Sequence, residues 1–228
     1  MSEQSAANSA APGRGSRGGG ARICILDYGV GNVRSVEKAL EHIGAVATIT
    51  RDPAEVRAAD GVILPGVGAF PRAMERVREL GLDELIVERR DAGVPILGIC
   101  LGLQLLFDST TELGGAAGLG LLPGGVEELE ADGLKVPHIG WSPVRWEKES
   151  ALTDGIASET PFYLVHSFAP HPDAEDLLGT AAYGARFACA AQCDNVFGVQ
   201  FHPEKSSAAG LRLLANFAGV CARTPTAA

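Results

Sequence analysis

No run of about 18 or more apolar residues, the length a membrane-crossing helix needs, occurs in the sequence, so no membrane span is expected. The longest apolar stretch, residues 94–107, is broken by Pro95 and Gln104 and reads as a buried strand followed by a buried helix. Positive charge is in deficit: 19 Lys and Arg stand against 28 Asp and Glu, a net charge of −9. That sign argues against nonspecific contact with nucleic acid or with acidic membranes. Cysteine is scarce and odd in number, five in 228 residues, which argues against a disulfide framework. Cys189 and Cys193 form the only close pair, and no further Cys or His follows at the short spacing of a zinc site. No metal is therefore expected; no cofactor is expected either. The first 20 residues are mostly Ser, Ala, Gly and Arg and lack the apolar core of a secretory signal. They are expected to form a disordered tail, and the lack of a signal points to the cytoplasm.

Hydrophobic residues make up 46% of the chain, enough to fill a sizeable core. Short apolar runs at 22–26, 46–50, 61–64 and 94–100 read as strands. Helical patterns lie between them. Val33, Val36, Leu40 and Ile43 share a face, with Asn32 placed to cap that helix and Gly44 to end it. Further helices are expected over 71–80, 82–91 and 101–107. Strands alternating with helices imply βαβ crossovers and a mostly parallel central sheet flanked by helices, an α/β fold. After Thr110 the strand candidates are shorter and separated by Gly-rich turns: 134–139, 144–146, 162–165, 177–183, 187–191 and 196–201. These read as a partly antiparallel extension in the C-terminal half. A last helix covers 207–221. A single domain over 21–222, followed by a tail at 223–228, is the expected organisation.

Gly98-Ile99-Cys100-Leu101-Gly102 closes an apolar strand and opens a helix. A cysteine there, between two glycines that add no Cβ clash, suits a nucleophile elbow. A buried cysteine is more often a small hydrophobe, but the carboxyl end of a parallel strand is where ligands bind, and a helix N-terminus favours a thiolate. About a hundred residues on, Val199-Gln200-Phe201-His202-Pro203-Glu204 supplies a base and an acid two residues apart. In an extended segment such residues point the same way. His202 would take and return a proton, and Glu204 would fix its tautomer.

GICLGLQLL at 98–106 and GVQFHPEKS at 198–206 resemble the motifs of class I, triad-type glutamine amidotransferases. DYGVGN at 27–32, PGVGAF at 65–70, PHIGW at 137–141 and YLVHSF at 163–168 are similar to the glutaminase-subunit family of imidazole glycerol phosphate synthases. The resemblance runs from about residue 21 to 221 and implies a flavodoxin-like fold. It implies that Cys100, His202 and Glu204 hydrolyse glutamine through a thioester. Leu101 N–H and Val67 N–H, the latter freed to rotate between Gly66 and Gly68, are implied as an oxyanion hole. Gln104, His166, Ser167 and Phe168 are implied to bind glutamine; a lone His is more often structural, so no acid–base role is assigned to His166 or His138. The implied partner is a (β/α)₈-barrel cyclase that receives the ammonia, met through the loop near Tyr28 and Asn32 and through Trp141 and Lys205. Two departures stand out: Ser142 where an asparagine is common, and Phe168 where an aromatic hydroxyl is often found.

Other readings stay open on sequence alone. Another class I subunit, serving anthranilate or aminodeoxychorismate synthesis, keeps the triad and changes the acceptor. Gly29-Val30-Gly31 after a strand partly matches a dinucleotide-binding fingerprint, with Arg34 in place of the third glycine. A non-catalytic scaffold would retain the fold without the chemistry.

Overall fold

In the first strands both alternating sets of side chains are apolar, the pattern of a sheet covered on two faces. The computed structural model describes residues 20–224 and bears this out. In chain order the elements are β1 (Arg22–Leu26), α1 (Val33–His42), β2 (Val46–Thr50), α2 (Pro53–Ala58), β3 (Gly61–Gly66), α3 (Phe70–Glu79), α4 (Leu82–Asp91), β4 (Ile96–Cys100) and α5 (Leu101–Leu105). There follow β5 (Phe107–Thr110), β6 (Ala116–Ala117), β7 (Leu122–Glu128), β8 (His138–Trp146), β9 (Thr160–His166), β10 (Phe168–Pro172), β11 (Leu177–Tyr183), β12 (Ala185–Cys193), β13 (Val196–Val199) and α6 (Ser207–Arg223).

Nine strands form one sheet in the order β2-β1-β3-β4-β13-β12-β11-β8-β9. The pairings from β2 to β13 are parallel, and those from β13 to β9 antiparallel. Ile23, Ile25, Ile63, Leu97 and Ile99 face α1 and α6, where Val36, Leu40, Leu213 and Phe217 meet them. Cys24, Leu26, Val62, Leu64 and Ile96 face the other way, onto Met74, Val77, Ile86 and Leu103 of α3, α4 and α5. Each fully buried aliphatic side chain in these layers is worth roughly 1.5–3 kcal/mol of transfer free energy. The alternation thus fixes which residues can face the core.

The expected parallel-then-antiparallel plan holds, with local differences. The helix expected over 101–107 stops at Leu105, because Phe107–Thr110 pairs with β7 in a second sheet of order β10-β7-β5-β6. The two strands expected at 134–139 and 144–146 are one strand, His138–Trp146, with residues 134–137 outside it. Helix α2 was not expected; Asp52 caps it by accepting from Ala54 N–H at 2.8 Å, and Pro53 opens its first turn. Helix α6 continues to Arg223, past the expected domain end at 222. Residues 1–19 and 225–228, most of the two expected tails, lie outside the described residues. Among the described residues no helix is long and apolar enough to cross a membrane.

Register brings the motifs together. Gly66 pairs with Cys100 across β3 and β4, and Val199 pairs with Ile99 across β13 and β4. The Pro65–Gly68 segment, the elbow and the chain leading to His202 therefore leave three adjacent parallel strands at their carboxyl ends. Gly29 and Gly31 both have positive φ, 90° and 121°, and Gly31 packs against the Gly66 backbone. The glycines of that turn serve its conformation and this close approach.

Candidate active site

Cys100 sits at φ 56°, ψ −113°, a conformation that costs a non-glycine residue of order 1–3 kcal/mol. The flanking glycines do a different job from Cys100. A Cβ on Gly102 would collide with the Leu64 carbonyl, and one on Gly98 would lie 2.6 Å from the Gly102 oxygen. They let α5 close directly onto β3 and β4, and the strained turn falls on the cysteine itself. Helix α5 spans only five residues, so the groups around the sulfur set its environment more than a long helix dipole would. Those groups are specific. The sulfur lies 3.8 Å from the Val165 carbonyl, to which a thiol can donate, and it accepts from Gln200 Nε2 at 3.7 Å.

His202 is 2% exposed. Its Nδ1 bonds Glu204 Oε1 at 2.9 Å, while its buried Nε2 has no hydrogen-bond partner among the described residues. The contact does not arise from an extended strand, as the sequence suggested. Residues Pro203–Lys205 turn in a single 3₁₀ turn that swings Glu204 back to the ring. The Glu204 carboxylate also accepts from Asn32 Nδ2 at 3.4 Å, from the far end of the chain. Burial by itself pulls the His202 imidazole down, but the Cys100 sulfur and Glu204 outweigh it and raise the ring to about 9. The sulfur is thus near enough to favour the charged ring, and the ring's Nε2 is left without a hydrogen-bond partner among the described residues.

Cys100 and His202 line a cavity of about 330 Å³. Val67, Gly68, Leu101, Gln104, His166, Ser167 and Phe168 line it too, so the structure brings almost the whole predicted set to one place. Gly66 and Glu204 stand just behind, beside Asn32. Glu112, Pro137 and Val165 also line the cavity and were missed by the sequence reading. Glu112 accepts from Phe70 N–H at 2.8 Å and so ties the start of α3 to the cavity rim.

One wall is a chain of neutral hydrogen bonds. Ser142 Oγ lies 3.1 Å from His138 Nε2, His138 Nδ1 3.2 Å from His166 Nε2, and His166 Nδ1 2.9 Å from the Phe168 carbonyl. A carbonyl only accepts, so His166 Nδ1 carries a proton. Burial pulls His166 down to about 4, so at neutral pH its Nε2 accepts from His138. His138 is lowered by burial as well. Ser142, a departure from the family pattern, thus donates into this chain. Gln104 Nε2 donates to the same Phe168 oxygen and to Gln200 Oε1, both at 3.0 Å. Gln200 went unnoticed in the sequence, although a polar residue between Val199 and Phe201 that is 0% exposed must find partners.

Two expectations are corrected. Tyr28 is not an exposed anchor: it is 0% exposed, and its hydroxyl donates to the Pro65 carbonyl at 2.7 Å at the base of the Gly66–Gly68 segment. Asn32 does not cap α1 with its side chain, because that amide is turned to Glu204. Trp141, by contrast, is 51% exposed and Ile139 60%. Across the strand pair Trp141 meets Tyr163 edge-on, and exposed Lys205 stands 5.9 Å from the Tyr163 ring centroid. Among the described residues no cluster of three or more His, Cys, Asp or Glu is grouped to hold a metal.

Comparison with known proteins agrees with this geometry. The family model described as glutamine amidotransferase class-I matches residues 24–220. Imidazole glycerol phosphate synthase subunit HisH of Moorella thermoacetica is 54% identical over 196 residues, covering 86% of this chain and 93% of that one. The subunit of the same name from Bacillus cereus is 50% identical over 199 residues, covering 87% and 94%. Among solved structures, PurLQS from Thermotoga maritima shares the fold with a TM-score of 0.69 at 19% identity, covering 88% of this chain and 99% of that one. The chain belongs to the class I glutamine amidotransferases and, within them, to the family of imidazole glycerol phosphate synthase HisH subunits.

Proposed function

We propose that this chain is the glutaminase subunit of an imidazole glycerol phosphate synthase, in histidine biosynthesis. The observation that carries the reading is the pairing of Cys100 with an imidazole whose Nδ1 is held by Glu204 and whose Nε2 is free. The Cys100 thiolate attacks the carboxamide carbon of glutamine, and the carbonyl electron pair moves to oxygen. Backbone N–H groups of Val67 and Leu101 receive that oxyanion, with Gly66 and Gly68 giving the Val67 peptide room to turn. His202 protonates the departing nitrogen, leaving a γ-glutamyl thioester and ammonia. It then takes a proton from water, which attacks the thioester, releases glutamate and restores the thiolate. Gln104, with His166, Ser167 and Phe168, holds the amino-acid end of the substrate. No metal or cofactor enters this sequence.

Free ammonia is protonated at neutral pH and lost by diffusion, so the product needs a sheltered route to an acceptor. In this reading the acceptor lies in a (β/α)₈-barrel cyclase subunit that makes imidazole glycerol phosphate and AICAR. The exposed side chains of Ile139, Trp141 and Lys205, the last two against Tyr163, whose ring neighbours His202, support docking there. The Gly66–Gly68 segment acts as the element that the occupied cyclase switches. Five free thiols among the described residues fit a reducing, cytoplasmic setting. The test is co-purification with a barrel cyclase, followed by glutamate release with and without the cyclase nucleotide. Release that rises with the nucleotide is expected, and Cys100→Ala should abolish it while the cyclase still uses added ammonium. Equal rates without the partner, or full glutamine use by Cys100→Ala, would overturn the proposal.

A further inference from the structure

Among the described residues, the Gln200 amide is the one polar side chain that bonds the Cys100 sulfur and that neither the triad nor the substrate seat has absorbed. It is 0% exposed and its position is set twice over. Its backbone N–H is fixed on the Cys189 carbonyl at 2.8 Å, and its side chain spans from Gln104 to the sulfur.

The orientation of this amide follows from its neighbours. The Phe168 carbonyl can only accept, so the Gln104 group facing it at 3.0 Å is the NH₂. That NH₂ has a second hydrogen, and the Gln200 atom 3.0 Å from it must accept; it is therefore Oε1. The other end of the Gln200 amide, 3.7 Å from Cys100, must then be the NH₂. Turning Gln200 over would set two NH₂ groups against each other at one end and a carbonyl oxygen against a sulfur anion at the other. A backbone carbonyl thus determines, through two amides, that the sulfur meets an N–H. The Val165 carbonyl at 3.8 Å serves the opposite state, because it can take the S–H of a neutral thiol and offers nothing to an anion.

On the glutaminase reading above, we infer that Gln200 is a further catalytic residue: its Nε2–H donates to the Cys100 thiolate and, held by Gln104, keeps the anion in place between turnovers. The same bridge links substrate binding to the nucleophile, since glutamine settling on Gln104 bears on the group that holds the sulfur. Only the hydrogen bond changes with protonation; no electrons move through it.

The test is alkylation of Cys100 by iodoacetamide, followed by mass spectrometry of the Cys100 peptide so that half-exposed Cys193 does not interfere. Gln200→Met removes the donor at similar volume. Gln200→Glu keeps the shape and the bond from Gln104 but turns an oxygen toward the sulfur. At neutral pH the Met variant should react about three- to tenfold more slowly than the parent, the size of one weak charge-assisted hydrogen bond, and the Glu variant more slowly still. At about pH 9.5, where free thiols ionise without help, the Met variant and the parent should converge to within about twofold. Unchanged rates at neutral pH would overturn the inference, as would an equal fall at both pH values, which marks simple displacement of the sulfur. If Gln200→Met does not fold, Gln200→Glu carries the test by the same comparison with the parent. Glutamate release by the parent complex is measured in parallel. Its absence defeats the glutaminase reading and leaves the alkylation result standing, whereas release with unchanged alkylation defeats the role of Gln200 alone.

Discussion

His202 and His166 line the same cavity and are almost equally sealed from solvent, at 2% and 6% exposure. Their rings nevertheless shift in opposite directions, His202 up to about 9 and His166 down to about 4. Burial disfavours the charged form of both. What differs is the company. His166 stands between a neutral imidazole and a carbonyl oxygen, on the antiparallel side of the sheet. His202 stands between a carboxylate and a sulfur, where the parallel strands end. In one cavity, the first ring is held neutral, and the second is biased toward its charged form, as the proton carrier of the proposed reaction would be. Partners decide the role, and burial decides how much the partners matter.

The largest expected effect separates the two rings directly. His202→Asn should lower glutamate release by about 10³-fold or more, as loss of a triad base does. His166→Gln should act chiefly on KM, by about tenfold or less. A loss of kcat in His166→Gln as large as in His202→Asn would break the comparison. The next effect removes the charge that lifts His202. Glu204→Gln should cost about 10²- to 10⁴-fold in kcat and move the His202-dependent limb of the pH–rate profile to lower pH. A profile left where it was would mean that Glu204 does not set the ring's protonation.

Stability against pH gives the third contrast, with opposite signs. His166 is lowered in the folded state, so its contribution is full above about pH 6.5 and is lost as pH falls through about 4. That is on the order of 3 kcal/mol for a single proton over this span. His202 is raised, so its contribution is full below about pH 6.5 and is lost as pH rises through about 9. Denaturant midpoints across this range should flatten on the acid side in His166→Gln and on the alkaline side in His202→Asn. The smallest effect concerns the second donor to Glu204. Its bond from Asn32 is long, 3.4 Å, so Asn32→Ala should lower kcat by about two- to fivefold. A null effect would assign the carboxylate's placement to the Pro203–Lys205 turn alone.

Much of this was legible in the sequence, for identifiable reasons. The strand at 22–26 matched because a strong apolar run between turn residues leaves little choice of pairing, and the cysteine and His-Pro-Glu motifs carry their chemistry in the residue types themselves. The second sheet was hidden because β7 contains Pro123, Gly124 and Gly125 and shows no clean alternation. Tyr28 and Asn32 were misread because short-range rules treat them as a loop aromatic and a helix cap. Their partners, Pro65 and Glu204, lie 37 and 172 residues away. Gln200 was missed for the same reason, its sulfur contact being 100 residues distant. Local propensity does not encode such contacts; register between strands does.

The central claim is a covalent one, and it can be read directly. The complex with a barrel cyclase is mixed with glutamine, quenched in acid within a turnover, and digested for mass spectrometry. The account predicts that the Cys100 peptide gains one γ-glutamyl group, and that His202→Asn does not accumulate it. Glutamate released while Cys100 stays unmodified, or a glutamyl group on another cysteine, would contradict it.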